Sequence, residues 1–209
     1  MIRLTRRGLL ALAAAGAGSP FPLRAEDGTA IRAPIVALYT GLEAVMKAGK
    51  AAPFRQRFDV LAPVVDQVFD LETILRVSVG LRWASMDTPA RSALSDAFRR
   101  FTVATYVANF DQYGGEKLEV LPDTRVVGED QVAQSRIVPP SGTVVRLDYL
   151  MRRTGGNWRI VDVLLDGTIS RVAVQRSDFR ALLGKGDTTA LLDSLKRKTA
   201  DLSGGTLGS

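Results

Sequence analysis

The stretch TVVRLDYLMRRTGGNWRIVDVLLDG, residues 143–167, predicts two neighbouring β-strands joined by a glycine-containing turn. Alternation along the first strand places four apolar side chains on one face: Val145, Leu147, Tyr149 and Met151. The second strand, WRIVDVLLD, is apolar on both faces. A strand of this kind needs a covering layer on each side, so this hairpin requires partners from the rest of the chain.

Further strand patterns flank this hairpin and extend it. The segment EKLEVL alternates from Glu116, and Pro122 is expected to end it. The segment QVAQSRIV, residues 131–138, is followed by the turn sequence PPSG, and Asp166-Gly167 turns the chain after the last strand. Consecutive hairpins of this type predict an antiparallel meander of about four strands.

Helical patterns precede and follow the predicted strands. Apolar residues recur at the helical period over residues 29–49 and again from Phe54, and Thr88-Pro89 is a strong start signal for a long helix. The second half of that helix, FTVATYVANF, is apolar almost all round, which indicates a buried core helix or one that lines a cavity. A shorter helix is predicted over residues 177–183. Helices, then strands, then helices predict an α+β fold.

The first 25 residues, MIRLTRRGLLALAAAGAGSPFPLRA, predict a cleaved export signal. A basic start precedes a short apolar run, and Ala25 supplies the small residue required at a cleavage site. That run is too short to span a bilayer. The arginine pair in TRRGLL is typical of twin-arginine export, with an ordinary secretory signal as the alternative. We expect one domain over residues 26–202 and a flexible tail over residues 203–209.

Composition excludes several classes of function. Removing the four arginines of the signal lowers the formal charge from +6 to +2, which does not indicate a nucleic-acid-binding protein. The chain has no histidine and no cysteine. Nucleophilic systems that use histidine, zinc sites built on histidine or thiolate, and disulfides are therefore excluded. No phosphate-binding glycine loop is present, and we expect neither a metal nor another cofactor.

Carboxylates are the remaining candidates for acid–base chemistry. Asp148, Asp162 and Asp166 lie on or beside neighbouring predicted strands, and one of them could act as a base in an enzyme of the ketosteroid-isomerase type. Arginines alternate with these acids along the same strands, as at Arg146 and Arg159. We therefore favour the interpretation that the carboxylates form ion pairs or bind turn amides.

A series of short motifs, each weak alone, runs along the chain. In order they are Phe69-Asp70, Val79-Gly80, Trp83, Thr105-Tyr106, Tyr113-Gly114, Asp148-Tyr149-Leu150, Gly156, Trp158, Val161-Asp162-Val163, Asp166-Gly167 and Arg176-Ser177-Asp178-Phe179. In this order and spacing, over roughly residues 61–195, the chain resembles the MlaC-type periplasmic phospholipid-binding proteins, also called the toluene-tolerance family. The sequence after Asp166-Gly167 is similar to the hopanoid-associated HpnM branch.

The resemblance implies a helical layer packed on a strongly twisted antiparallel meander, enclosing an apolar pocket for acyl chains. It implies a periplasmic carrier of phospholipid or a hopanoid-type lipid between inner and outer membranes. The implied partners are an inner-membrane MCE-domain ABC transporter complex and an outer-membrane lipoprotein complex. We predict ten pocket-lining residues: Val103, Tyr106, Val107, Phe110, Ile137, Val145, Leu147, Tyr149, Val161 and Val163.

Two alternatives to a lipid carrier stay open at this point. One is the enzyme of the ketosteroid-isomerase type, with Asp148 or Asp162 as its base. The other is an accessory protein of hopanoid biosynthesis that binds a partner and has a solid core without a cavity.

Overall fold

The computed structural model describes residues 25–183 and 188–208, which form seven helices and five strands. The predicted export signal lies outside these residues, apart from Ala25 at the start of the first helix. The helices are α1 (Ala25–Ala48), α2 (Phe54–Val68), α3 (Leu71–Val79), α4 (Arg82–Ser85), α5 (Thr88–Asn109), α6 (Arg171–Leu183) and α7 (Thr189–Leu202). The strands are β1 (Lys117–Val127), β2 (Asp130–Val138), β3 (Val145–Thr154), β4 (Asn157–Leu165) and β5 (Ile169–Ser170).

The five strands form one open antiparallel sheet in the order β1-β2-β3-β4-β5. This arrangement confirms the predicted α+β fold and its meander, with the two-residue strand β5 as an addition. Pro122 does not end β1, as the sequence had suggested. It lies instead within a register irregularity between Val120 and Thr124, on an edge strand that tolerates the missing N–H.

A β-bulge in the central hairpin changes which side chains face the helices. Leu150 pairs with Asp162 and Met151 pairs with Ile160, so Val161 is an extra residue of β4 without a partner on β3. Simple alternation along β4 is therefore interrupted at this residue. Bulges cannot be located from a period-two pattern, because the pattern on each side of them is normal.

The helices cover one face of the sheet and share one apolar core with it. Helix α1 packs against α2 and the sheet, α5 packs against α2 and α7, and α3 packs against α6. The innermost side chains of α1, which are Ile35, Leu38 and Leu42, are fully buried. Pro34 of α1 and Pro63 of α2 both lie within continuous helices. Within the described residues, no helix is both long and apolar enough to cross a membrane.

Side-chain caps define where two of the helices begin. Helix α5 is capped by Asp87, whose carboxylate accepts from the Ala90 N–H at 2.8 Å, and not by Thr88 as the start signal suggested. Helix α6 begins at Arg171, six residues before its predicted start. The Ser170 hydroxyl accepts from the Ala173 N–H at 2.9 Å and thereby fixes this earlier start.

The C-terminal segment after α7 is packed at one point. Leu207 is only 6 % exposed and belongs to the apolar core. Its N–H donates to the Ser203 hydroxyl at 3.2 Å, and its carbonyl accepts from the Arg100 guanidinium. Leu207 is thus held in the core within the segment 203–209 for which the sequence predicted a flexible tail.

Candidate functional site

A cavity of about 720 Å³ lies between α3, α5 and α6 on one side and strands β3 and β4 on the other. We call it the α5 cavity. Its volume lies within the range of about 300–1,000 Å³ typical of small-molecule sites. Its apolar lining includes Met46, Phe69, Leu71, Ile74, Phe98, Phe101, Tyr106, Phe110, Ile137, Val145, Leu147, Tyr149, Val163, Leu165, Val172, Val174 and Phe179.

Helix α5 supplies one long wall of this cavity. Its cavity-facing residues recur at helical spacing and include Phe101, Thr102, Thr105 and Asn109. The hydroxyls of both threonines donate to helix carbonyls four residues earlier, Thr102 at 2.9 Å and Thr105 at 2.8 Å. Because these hydroxyls are already bonded within the helix, they place no demand for polar partners on a ligand.

Aromatic rings make the wall stiff around one part of the cavity. The Tyr106 ring lies 5.6 Å from the Phe69 ring and 6.1 Å from the Phe110 ring, measured between centroids. The Phe98 and Phe179 rings meet edge to face at 6.3 Å. Such pairs add to the stabilisation that comes from burying the rings themselves. The arrangement gives the cavity an aromatic surface whose rings pack against one another.

A small polar network lies between the sheet and α1, next to the cavity. The Tyr149 hydroxyl donates to the Tyr39 hydroxyl at 3.4 Å, and the Tyr39 and Ser135 hydroxyls lie 2.5 Å apart. The Ser135 hydroxyl also bonds to the Leu147 carbonyl at 2.5 Å. Burial raises the pKa of Tyr149 and that of Tyr39, so both phenols stay neutral at ordinary pH. The network satisfies buried hydroxyls and anchors β3 to α1 and β2.

Polar groups form the smaller part of the cavity lining. Asn109 ends α5, and Gln112 and Glu116 follow it. Asp162 lies on β4, and the remaining charged and amide side chains lie on α6 and α7: Arg171, Gln175, Asp178 and Lys198. Burial raises the pKa of Tyr106, the nearby Tyr39 adds to that rise, and Arg171 opposes it. The Lys198 ammonium lies 5.9 Å from the centre of the Phe101 ring.

Seven of the ten residues predicted for the pocket line this cavity: Tyr106, Phe110, Ile137, Val145, Leu147, Tyr149 and Val163. The other three do not. Val103 and Val107 are fully buried on the opposite side of α5, where the helix packs against other helices. Val161 is the extra residue of the β-bulge, so its side chain does not follow the alternation that Val163 obeys.

Helix α6 and the start of α3 contribute lining residues that the sequence reasoning missed. From α6 these are Val172, Val174, Gln175 and Phe179, and from α3 they are Leu71 and Ile74. The three-and-four spacing of Val172, Gln175 and Phe179 was the available signal. The signal is weak because three arginines and one aspartate are interspersed with the apolar residues of α6, so no single apolar stripe stands out.

The carboxylates considered as catalytic bases are both held by neighbouring groups. The Arg146 guanidinium donates to Asp148 through two hydrogen bonds, of 2.9 and 2.7 Å, and Asp148 is fully buried outside the cavity lining. Asp162 does line the cavity. Its carboxylate accepts from its neighbour Val163 N–H at 2.7 Å, from the Val172 N–H at 3.0 Å and from the Ser170 hydroxyl. Each carboxylate therefore has a structural role in a strand or a helix start.

The fold and cavity together define an α+β protein with an open antiparallel sheet, a covering layer of helices and an internal apolar pocket between them. The model of the MlaC protein family matches residues 38–197. This chain belongs to the MlaC family, as its short motifs suggested.

Two relatives agree with that assignment. The toluene tolerance protein ttg2D of Pseudomonas putida is 23 % identical over 172 residues, which cover 80 % of this chain and 77 % of the relative. The fold is similar to a solved phospholipid-binding protein from Ralstonia solanacearum in complex with a phospholipid. That match has a TM-score of 0.71 and 17 % identity, and it covers 83 % of this chain and 98 % of the other. At this identity the likeness shows the fold.

Proposed function

We propose that this chain is a periplasmic lipid-binding protein that holds the acyl chains of a phospholipid in the α5 cavity and carries the lipid between the inner and outer membranes. The observation that carries the proposal is the cavity itself, large and mainly apolar in its lining. Membership of the MlaC family supports it. So does the Ralstonia solanacearum protein of the same fold, which was solved with a phospholipid.

The energetics of acyl-chain transfer suit a cavity of this kind. Exposing two acyl chains of about 15 methylenes each to water costs on the order of 20 kcal/mol, at about 0.8 kcal/mol per methylene. A carrier must offset most of that cost, or the lipid stays in the bilayer. It must not exceed it by much, or the lipid is never released. An apolar cavity with few polar groups meets both requirements.

Carriage of this kind requires no bond to be made or broken. The two candidate bases are occupied, Asp148 by Arg146 and Asp162 by the start of α6. We therefore propose a carrier and not an enzyme of the ketosteroid-isomerase type. The presence of a sizeable cavity also favours a ligand-binding protein over an accessory protein with a solid core.

The proposed setting follows from the export signal predicted over residues 1–25 and from the family. A soluble carrier in the periplasm needs a donor and an acceptor at the two membranes. We propose an MCE-domain ABC transporter complex at the inner membrane and a lipoprotein complex at the outer membrane for these roles.

Mass spectrometry of organic extracts from the purified protein tests the proposal. We expect a phospholipid in stoichiometric amount. Protein from which the lipid has been removed should take up lipid from liposomes. A hopanoid in its place would assign the chain to the hopanoid-associated branch and change only the identity of the lipid. Absence of any stoichiometric lipid, together with no uptake from liposomes, would refute lipid carriage.

A cavity-filling variant makes the test specific to the site. Val163 on β4 lines the cavity, and Val163→Trp places a large side chain where the acyl chains would lie while keeping a residue suited to a strand. We expect extracted lipid to fall at least tenfold. Val127→Trp on β1, where the valine is 42 % exposed and outside the cavity, is the matched control and should keep its lipid. Equal lipid content in the two variants would place the lipid elsewhere.

A further inference from the structure

A second, smaller cavity lies where the turn between α3 and α4 meets α6. Its volume is about 220 Å³, and three arginine side chains converge on it, Arg82 from α4 and Arg176 and Arg180 from α6. Leu81 contributes to its rim. We call these four residues the Leu81 surface.

The three arginines of this surface differ from those that pair with carboxylates. Arg99 and Arg152 each bind a carboxylate through paired hydrogen bonds, as does Arg146. Among the described side chains of residues 28–183 and 188–208, no carboxylate lies within ion-pair distance of Arg82, Arg176 or Arg180. Several guanidinium groups around one small cavity form a site of positive potential that favours an anion, and guanidinium groups bind phosphate oxygens well.

An apolar side chain projects from the same place. Leu81 is 94 % exposed, the highest value among the large apolar residues of the described chain. The turn that carries it is fixed. Gly80 adopts a positive φ of 71°, and the Arg91 guanidinium donates to the carbonyls of Trp83 at 3.1 Å and Ala84 at 3.0 Å. The exposure of Leu81 is thus built into a well-bonded turn.

We propose that the Leu81 surface docks the protein onto the anionic surface of a lipid bilayer. An apolar side chain that enters the boundary between headgroups and acyl chains, ringed by arginines that contact lipid phosphates, is the pattern of interfacial binding. A soluble anion would neutralise the arginines but would leave Leu81 in water. A bilayer surface satisfies both features at once.

The Leu81 surface lies next to a wall of the α5 cavity. Ser78 lines the small cavity and Gln175 lines the α5 cavity, and the Ser78 hydroxyl bonds to the Gln175 side-chain oxygen at 3.1 Å. The packed pair α3 and α6 therefore forms a wall of both cavities. Docking through the Leu81 surface places that shared wall next to the membrane.

Vesicle co-sedimentation tests the docking proposal. We expect the protein to bind vesicles of phosphatidylcholine that contain phosphatidylglycerol, to bind pure phosphatidylcholine vesicles much more weakly, and to dissociate as salt is added. Each arginine near such a surface raises the partition coefficient of the protein onto the vesicles about fivefold. The R82Q/R176Q/R180Q variant should therefore bind the anionic vesicles on the order of a hundredfold more weakly. The Leu81→Ser variant should bind the vesicles about tenfold more weakly, because it lacks the apolar contact with the bilayer.

Matched controls separate the surface from general charge and hydrophobicity. K117Q/R125Q/R197Q removes three exposed cations elsewhere, and Val126→Ser removes a valine that is 70 % exposed on β1. Both should keep binding close to the unsubstituted protein. No binding to the anionic vesicles, or equal losses in a variant and its control, would overturn the proposal and leave the arginines to an acidic protein partner.

Docking stands apart from lipid carriage and is measured separately. The Val163→Trp variant should still bind anionic vesicles, because its substitution lies in the α5 cavity and not in the Leu81 surface. If the protein binds these vesicles but yields no extracted lipid and takes up none from liposomes, the proposed function is refuted and docking is supported. Vesicle binding that disappears in Val163→Trp would overturn docking through the Leu81 surface.

Discussion

Helix α5 has two faces of similar apolar character and different surroundings. One face carries Val103 and Val107, which are both fully buried against other parts of the protein. The other face carries Phe101 and Tyr106, which line the α5 cavity. The same helix therefore belongs to a solid core on one side and to a cavity on the other.

The two faces differ in whether their side chains contact other protein atoms on every side. Side chains on the packed face have protein neighbours all round, so their dispersion contacts are made on folding. Side chains on the cavity face lack protein neighbours on one side, and a bound ligand would supply those contacts. The packed face should therefore determine the stability of the fold, whereas the cavity face should determine the binding of lipid.

The largest expected effect is the loss of stability on truncating the packed face. Val103 is fully buried, and Val103→Ala should lower the free energy of unfolding by about 2–3 kcal/mol, because it removes two methyl groups and leaves a cavity in a close-packed core. Urea unfolding followed by circular dichroism measures this loss. Lipid content per folded molecule should remain unchanged.

The matched truncation on the cavity face is Phe101→Ala. Phe101 is half-buried and already borders empty space, so its loss should cost lipid-free protein only about 1 kcal/mol, below the range for a filled core. Extracted lipid should fall, since the ring contributes to the wall. Equal destabilisation by Val103→Ala and Phe101→Ala in the lipid-free protein would show that the two faces do not differ as described.

The sequence predicted the two-faced character of α5 only in part. FTVATYVANF indicated either a core helix or a cavity wall, and the helix is both. Periodicity could not assign Val103 and Val107 to the packed face or to the cavity face, because a helix that is apolar all round has no single apolar stripe. The order of elements was predictable because turn residues and strand alternation are local, and the meander needs only local pairing.

The lining from distant segments was harder to predict from sequence. Helix α6 reaches the cavity because Asp162 and Ser170 start it directly after β5, and that cap depends on a contact between residues separated along the chain. The bulge at Val161 is likewise set by pairing with β3 and not by the residues of β4 alone. Sequence reasoning therefore placed the central wall of the site and missed the side formed by α6.

An intermediate effect is expected at the polar edge of the cavity face. Asp162→Asn keeps an acceptor for the Val172 N–H but removes the charge, and it should cost about 1 kcal/mol or less in unfolding free energy. Lipid loading should be retained, because the carboxylate serves α6 and no chemical step. Asp178→Asn, which removes another carboxylate of the same cavity, is the control. Lipid loss confined to the Asp162 variant would give this carboxylate a direct role in binding.

The smallest effect should appear at Asp70, which starts α3 and so positions Leu71 and Ile74 at the cavity. Burial of Asp70 disfavours its charged form, but hydrogen bonds from Thr73 and Thr154 outweigh this and lower its pKa below the ordinary 3.8. A lowered pKa stabilises the fold above the unfolded value, and this contribution disappears as the pH falls through the folded value.

Asn is nearly as good a helix cap as Asp, so Asp70→Asn should lose only a few tenths of a kcal/mol of unfolding free energy at neutral pH. The difference from the unsubstituted protein should shrink at a pH well below the ordinary 3.8, where the carboxyl of Asp70 is protonated in both states. Urea unfolding at both pH values measures the change. A stability difference that stays constant between them would mean that the Asp70 charge adds nothing to the cap, and that α3 is held at the cavity by uncharged hydrogen bonds and by packing, as the packed face of α5 is.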